Sequence, residues 1–334
     1  MKVHWARRTL TLSIVVTILC AACQSWIMIN QTQKLKELLA ASTGSKADAD
    51  IWQKWKTEMT YHSVFLASIF FGLYVTWDGI MNHNTLEIIA TNCYYAGMLG
   101  YAIAQIFQVM EGRNLILNQS LLDGSVGTYT GIFLAALLLL PILLGMFLPV
   151  FAVFTRYLNR DFDWRMYRIT GGEIDMTKYF SAYHVTLLLL KFDAFFVSAF
   201  TVIDLVLTRV SARGIIVIPS LGAIVGIAAM LTGYYGIRYE LRISLFTFLS
   251  LMLVIMGYII QRLYEAFVQE YDQVQRIKIP YLFYAVVSMG LSVACFLGGV
   301  RCWWNFGKGL KTVLDQESKR KDGVYAQEEM NLEE

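Results

Sequence analysis

Charge is scarce in this chain: 16% of its 334 residues are Asp, Glu, Lys or Arg, against about 25% in an average soluble domain. Proline is nearly missing as well, with 4 residues in all. The net charge of +3 is small, and no basic run is interleaved with aromatics. A nucleic-acid partner is therefore not expected. The 5 cysteines, Cys20, Cys23, Cys93, Cys295 and Cys302, all fall within or at the edge of apolar runs. That placement excludes a loop-stapling disulfide framework and leaves no zinc spacing outside an apolar segment. Cys20 and Cys23 have CxxC spacing and read as core residues; Cys302, beside Trp303 and Trp304, reads as a buried thiol, with palmitoylation as the alternative. H-E-x-x-H, G-x-S-x-G, P-loop and G-x-G-x-x-G signatures are all absent, and His4, His62, His83 and His184 are scattered. No catalytic residue, metal site or cofactor is expected, and the chain does not read as an enzyme.

What the chain has in quantity is hydrophobicity, 57% of residues, with a mean hydropathy of +0.51. Apolar runs near 20 residues recur at 9–29, 62–81, 86–109, 129–154, 183–207, 214–235, 243–263 and 280–304. Each is long enough to cross a bilayer as a helix. The fold class is all-α, a polytopic transmembrane helix bundle of about eight spans. The count falls to seven if the first segment is cleaved, or if the second and third form a re-entrant pair. The first run is longer than a signal-peptide core and reads as a retained anchor. Tryptophans at many segment ends, such as Trp26, Trp55, Trp77 and Trp164, suit interfacial anchoring.

With the N-terminus in the cytosol, 16 Lys and Arg fall on the cytosolic side and 11 on the other, which sets the orientation. Membrane lipids are then the obligatory neighbours. Residues 1–310 read as one bundle, with a lumenal loop at 30–61 and a cytosolic loop at 155–180; the acidic tail 311–334 reads as cytosolic and disordered. The cytosolic loop and tail are where protein partners would bind. Two N-x-[ST] sequons, at Asn30 and Asn118, fall on the lumenal side and are glycosylation candidates, Asn118 standing further from a span. Residues 34–60 mix charge with apolar positions and suggest one or two short helices on the membrane surface. No internal repeat is visible.

The fifth segment carries Lys191, Asp193 and Asp204 inside an apolar run. A charge at membrane depth costs a few kcal/mol, so such groups face a bundle interior and have companions. Asp193 and Asp204, eleven residues apart, lie within roughly 20° of one helix face and some 16 Å apart along the axis. Lys191 lies about 200° around from Asp193 and is placed to snorkel or to pair with another helix. In the third segment Tyr94, Met98, Tyr101, Gln105 and Gln108 form a helical stripe. Lys191, Asp193, Asp204, Tyr101, Gln105 and Gln108 are the candidate intramembrane polar site: a path for an ion or proton in one reading, amides and an ion pair binding helix to helix in the other. Pro141 and Pro149 permit a kink in the fourth segment. Gly222, Gly226, Ala229, Gly233 and Gly236 form a close-packing face in the sixth, as do Gly290, Ala294 and Gly298 in the eighth.

Three stretches carry a resemblance: residues 162–200, with Trp164, Tyr167, Ile169 and Gly171 followed by LLKFD at Leu189 to Asp193; GYYGIRYELR at Gly233 to Arg242; and NFGKGLK at Asn305 to Lys311. In these the chain resembles the fungal Golgi-apparatus membrane proteins of uncharacterised function. The resemblance covers the C-terminal half and implies a Golgi or endomembrane location, without implying an activity. Two functions follow from the residues: a transporter-like protein for a small solute, ion or lipid, or a non-catalytic trafficking scaffold. A seven-span receptor is a third.

Overall fold

The computed structural model describes residues 3–41, 45–120, 131–169, 174–210, 217–268, 278–309 and 311. These residues form eight helices: α1 (Val3–Ala41), α2 (Ser45–Met81), α3 (Thr85–Ser120), α4 (Gly131–Ile169), α5 (Ile174–Val210), α6 (Val217–Arg238), α7 (Arg242–Val268) and α8 (Lys278–Asn305). Each expected span is thus one helix, and no strand occurs among the described residues. Among the described residues six stretches are long and apolar enough to cross a membrane: Trp5–Lys34, Trp55–Met81, Phe133–Arg160, Met176–Val206, Arg242–Glu265 and Tyr281–Asn305. A shorter apolar stretch, Ile224–Arg238, lies in α6. In α3 the residues Asn92, Tyr94, Tyr95, Tyr101 and Gln105 dilute the apolar character.

The helices extend past the lengths expected from hydropathy. Residues 34–60 are helical, but as extensions of α1 and α2 rather than as separate surface helices; the break at 42–44 lies outside the described residues. Most of 155–180 likewise belongs to the ends of α4 and α5. The tail from 312 also lies outside the described residues.

Two compact units divide the chain, residues 1–162 with 206–214, and residues 163–205 with 215–334. In the first unit, α1 turns its polar side inward. Thr9, Ser13, Thr17 and Gln24 are buried, whereas Ile14, Val15, Ile18 and Leu19 are exposed. Water would reverse that arrangement; hydrocarbon requires it, because apolar side chains then face lipid and polar ones find partners inside. Trp5 of α1 stacks on Tyr157 of α4, with ring centroids 4.7 Å apart. Ile27, Val109, Phe133 and Leu137 close the other end of the unit.

In the second unit, α7 buries Leu245, Phe248, Met252, Ile255, Ile259 and Arg262, a heptad-like spacing that holds one face inward. The glycine face of α6 lies against it. A Cβ on Gly233 would come 2.7 Å from the Phe248 ring, and one on Gly236 would come 2.8 Å from the Leu245 backbone nitrogen. Glycine is what lets these two helices approach so closely. Gly290 on α8, by contrast, meets nothing within 4 Å.

The same local design recurs in both units. At the α2–α3 turn the Asn84 amide donates to Gly79 O (2.9 Å) over His83, which has φ 51°. At the α6–α7 turn the Leu241 amide donates to Gly236 O (3.0 Å) over Glu240, with φ 53°. Both are six-to-one helix caps with a left-handed residue in the penultimate place. Gly79 is followed by buried Ile80 and packs on Ile88; Gly236 is followed by buried Ile237 and packs on Leu245, at the same spacing. With the two glycines aligned, Thr91, Tyr95, Met98 and Ala102 fall on Phe248, Met252, Ile255 and Ile259, all of them buried. Tyr101 then falls on Tyr258, and Gln105 on Arg262. The expectation of no repeat is therefore corrected: α2–α3 and α6–α7 are two versions of one hairpin. Because their inward residues differ in kind, the repeat is carried by spacing and burial rather than by residue identity.

Candidate functional site

Each unit holds a buried polar network, and the aligned positions Gln105 and Arg262 belong one to each. In the first unit Gln24 of α1, His62 of α2 and Gln105 of α3 meet. The Gln24 amide approaches His62 Nδ1 at 3.0 Å and the Gln105 amide does so at 2.9 Å. Gln105 Nε2 also donates to Gln24 Oε1 at 3.2 Å. Two amide donors on Nδ1 make that atom an acceptor and leave the ring proton on Nε2. Gln105 Oε1 is buried and receives no hydrogen bond. Nearby, Tyr101 stacks on Phe65 at 5.0 Å; more than three turns from Gln105 along α3, Asn92 donates to Thr155 of α4 at 2.7 Å.

In the second unit the network centres on Asp204 of α5. Tyr258 of α7 donates to its Oδ2 at 2.6 Å, and Tyr281 of α8 donates to Oδ1 at 3.2 Å. Arg262 Nε lies 3.1 Å from Oδ2, an ion pair without hydrogen-bond alignment, and its Nη1 donates to Glu265 at 2.6 Å. Phe200 packs beside both tyrosine rings. This cluster sits at the end of the α5 and α7 spans and at the start of the α8 span, which is the lumenal end under the charge-derived orientation.

Asp193 is different. It is 2% exposed at the centre of its span, and its described partner is a single hydroxyl, Ser292 of α8, donating to Oδ1 at 2.7 Å. Helices α5 and α8 run antiparallel, so Asp204 meets Tyr281, Asp193 meets Ser292, and Thr186 meets Cys302 Sγ at 3.4 Å. The buried-thiol reading of Cys302 holds, and all 5 cysteines are free.

No protein-family model matches the chain, and no solved structure does. A UPF0658 Golgi apparatus membrane protein of Schizosaccharomyces pombe is 24% identical to it over 270 residues, 75% of this chain and 76% of that protein. The chain is a homologue of this fungal Golgi-apparatus membrane protein. It is accordingly an integral multi-pass protein of the Golgi or another endomembrane, with the outward apolar faces of its helices in lipid.

Within this Golgi-type chain the residues singled out from sequence fall as follows. Asp193 and Asp204 share the α5 face turned to α8, as their spacing requires, and both are buried. Lys191 is half-buried on another side of α5. Gln105 is fully buried and its partners are on α1 and α2, while Tyr101 packs against α2. The Gln108 side chain lies outside the described residues, as does that of Asn118, whose backbone is in α3. Asn30 lies in α1 and donates to Trp26 O at 2.9 Å. Among the described residues no group of three or more His, Cys, Asp and Glu is placed to hold a metal.

Several network members had not been singled out: Gln24, His62, Tyr258, Arg262, Tyr281 and Ser292. Their signal lay in spacing. On α1 the buried Thr9, Ser13, Thr17, Cys20, Gln24 and Gln31 recur at intervals of three, four or seven residues, and on α8 so do Tyr281, Ser288, Ser292 and Cys295.

Proposed function

We propose that this protein is a non-enzymatic, transporter-like membrane protein that moves a small solute, an ion or a lipid. The observation that supports the reading is the pair of corresponding hairpins, each placing a polar side chain of its second helix in a buried network. Transporters are commonly assembled from repeated helical units, and polar groups held at membrane depth in such proteins serve substrates and coupling ions. The second unit adds an acid at mid-span, Asp193, held by one hydroxyl. The test is counterflow of radiolabelled small solutes in proteoliposomes with the wild type and Asp193→Asn. Flux in the wild type that is lost in a folded Asp193→Asn supports transport; absence of flux from the wild type across the panel counts against it.

A trafficking scaffold is the second reading, and the Asp204 cluster favours it. That acid is sealed by two tyrosines and an arginine, the arrangement of a helix-to-helix fastening. Protein partners would then engage the exposed basic positions Arg156, Arg160 and Lys178 or the tail. Under that reading Asp193→Asn lowers the yield of folded protein, and removal of the tail mislocalises cargo.

A further inference from the structure

We propose that Asp193, Ser292 and Ser288 form a binding site for a monovalent cation, a proton or a sodium ion, at the centre of the α5–α8 seam. The proposal builds on the transport reading by naming its coupling ion.

The two acids within the α5 span, Met176–Val206, differ in what surrounds them. Asp204 is matched by Arg262 and by two phenolic donors. Asp193 is as deeply buried, yet among the described residues no basic side chain pairs with it, and its described hydrogen bond is the single one from Ser292 to Oδ1. An acid so placed requires either a proton or a cation to lie at membrane depth.

Ser288 supplies the second observation. It is 0% exposed, and its Oγ has no hydrogen-bond partner. Ser13 Oγ likewise has no partner, but many buried hydroxyls return to the carbonyl four residues back, as do those of Ser68, Thr76, Thr91, Thr155, Thr186 and Thr201. Ser288 does not, although the same carbonyl bond is open to any serine in a helix. It stands one turn from Ser292, on the same buried face of α8 and on the side where the antiparallel α5 continues from Asp193 to Val197. Two carboxylate oxygens and two serine hydroxyls make a set of hard oxygen ligands with a single negative charge, which suits a monovalent rather than a divalent ion.

Ionisable groups near the site are few. Cys295 shares the α8 face, and Lys191 lies about 200° around α5 from Asp193. Between Arg242 and Tyr258 α7 has no ionisable residue, and α6 has none before Tyr234. The field at the site is therefore set by Asp193 itself.

The experiment uses the full-length protein in lipid nanodiscs. Thermal unfolding is followed in NaCl against choline chloride at constant ionic strength, and across a pH series, for the wild type, Asp193→Asn, Ser288→Ala and Ser292→Ala. A sodium site gives a Tm that climbs with sodium in the wild type and is flat in Asp193→Asn, with the serine variants needing about tenfold more sodium for half the effect. A proton site gives a Tm that ignores sodium, a pH response that Asp193→Asn removes, and an infrared band of a protonated carboxyl lost in the same variant. If wild type and Asp193→Asn respond alike to sodium and to pH, the proposal is overturned. If Asp193→Asn does not fold, the serine variants decide: wild-type sodium and pH responses in both also overturn it. Ion binding without any flux would sink the transport reading alone, whereas flux untouched by Asp193→Asn would sink this site alone.

Discussion

Replacing Asp204 with alanine removes three contacts at once: the hydroxyl bonds from Tyr258 and Tyr281, and the ion pair with Arg262. In a soluble core, breaking a buried ion pair costs about 3–5 kcal/mol, because the remaining charge is stranded. Two features reduce that figure here. Arg262 keeps its 2.6 Å bond to Glu265, a half-buried partner at the end of the span, so its charge is not abandoned. Hydrogen bonds between membrane helices average about 0.6 kcal/mol and reach about 1.7, since the unfolded helices find other partners in the bilayer. Two tyrosine bonds in that range, with a weakened ion pair added, give about 2–4 kcal/mol for Asp204→Ala. Asp204→Asn retains an acceptor for one tyrosine and should lose about half as much. The assay is reversible unfolding of the purified protein in mixed micelles, followed by helicity, with a double-mutant cycle against Arg262→Ala. A coupling of about 1 kcal/mol or more is expected for groups that share one network. Asp204→Ala as stable as the wild type, or a coupling of zero, would refute the claim that this cluster fastens α5 to α7 and α8.

Further outcomes follow from the same contacts. Gly236→Ala places a Cβ 2.8 Å from the Leu245 backbone and should destabilise by about 1–3 kcal/mol; Gly257→Ala, with nothing within 4 Å, should be neutral or slightly stabilising in the same unfolding assay. Glu240 has φ 53°, so Glu240→Val should lose about 1–2 kcal/mol while Glu240→Gly stays level or gains. Gln105→Leu removes a buried acceptor that has no donor and leaves the Gln24–His62 contact in place. It should change stability by less than about 1 kcal/mol, and a loss above 3 kcal/mol would show that this network, not apolar packing, holds the first unit together.

Much of this architecture was legible because lipid imposes simple rules. Apolar length gave eight helices, and eleven residues of separation put Asp193 and Asp204 on one face whatever that face touched. The extent of the helices was less legible: the charges between residues 34 and 60 suggested a separate surface segment, but the helical backbone continues through most of it.

Partners were hidden for a different reason. Arg262 stands at the end of an apolar run, where sequence assigns it to the membrane surface. Only the convergence of α5, α7 and α8 shows that it is buried against Asp204. His62 looked like a stray histidine until Gln24 and Gln105 were seen to aim at it from two other helices. The repeat was hidden most completely. Burial and turn geometry repeat from α2–α3 to α6–α7, but the side chains do not: Phe65 stacks on Tyr101 where, at the matching position, Gly222 lets the Tyr258 ring lie against bare backbone. A hairpin constrains which positions face inward, and within that constraint one unit fills its interior with neutral amides and the other with a charged pair. The first choice needs no counter-ion and leaves an uncharged seam. The second ties a negative charge to a positive one at the membrane edge and leaves Asp193, deeper in the bilayer, as the acid of the α5 span that no described basic side chain of α7 or α8 answers.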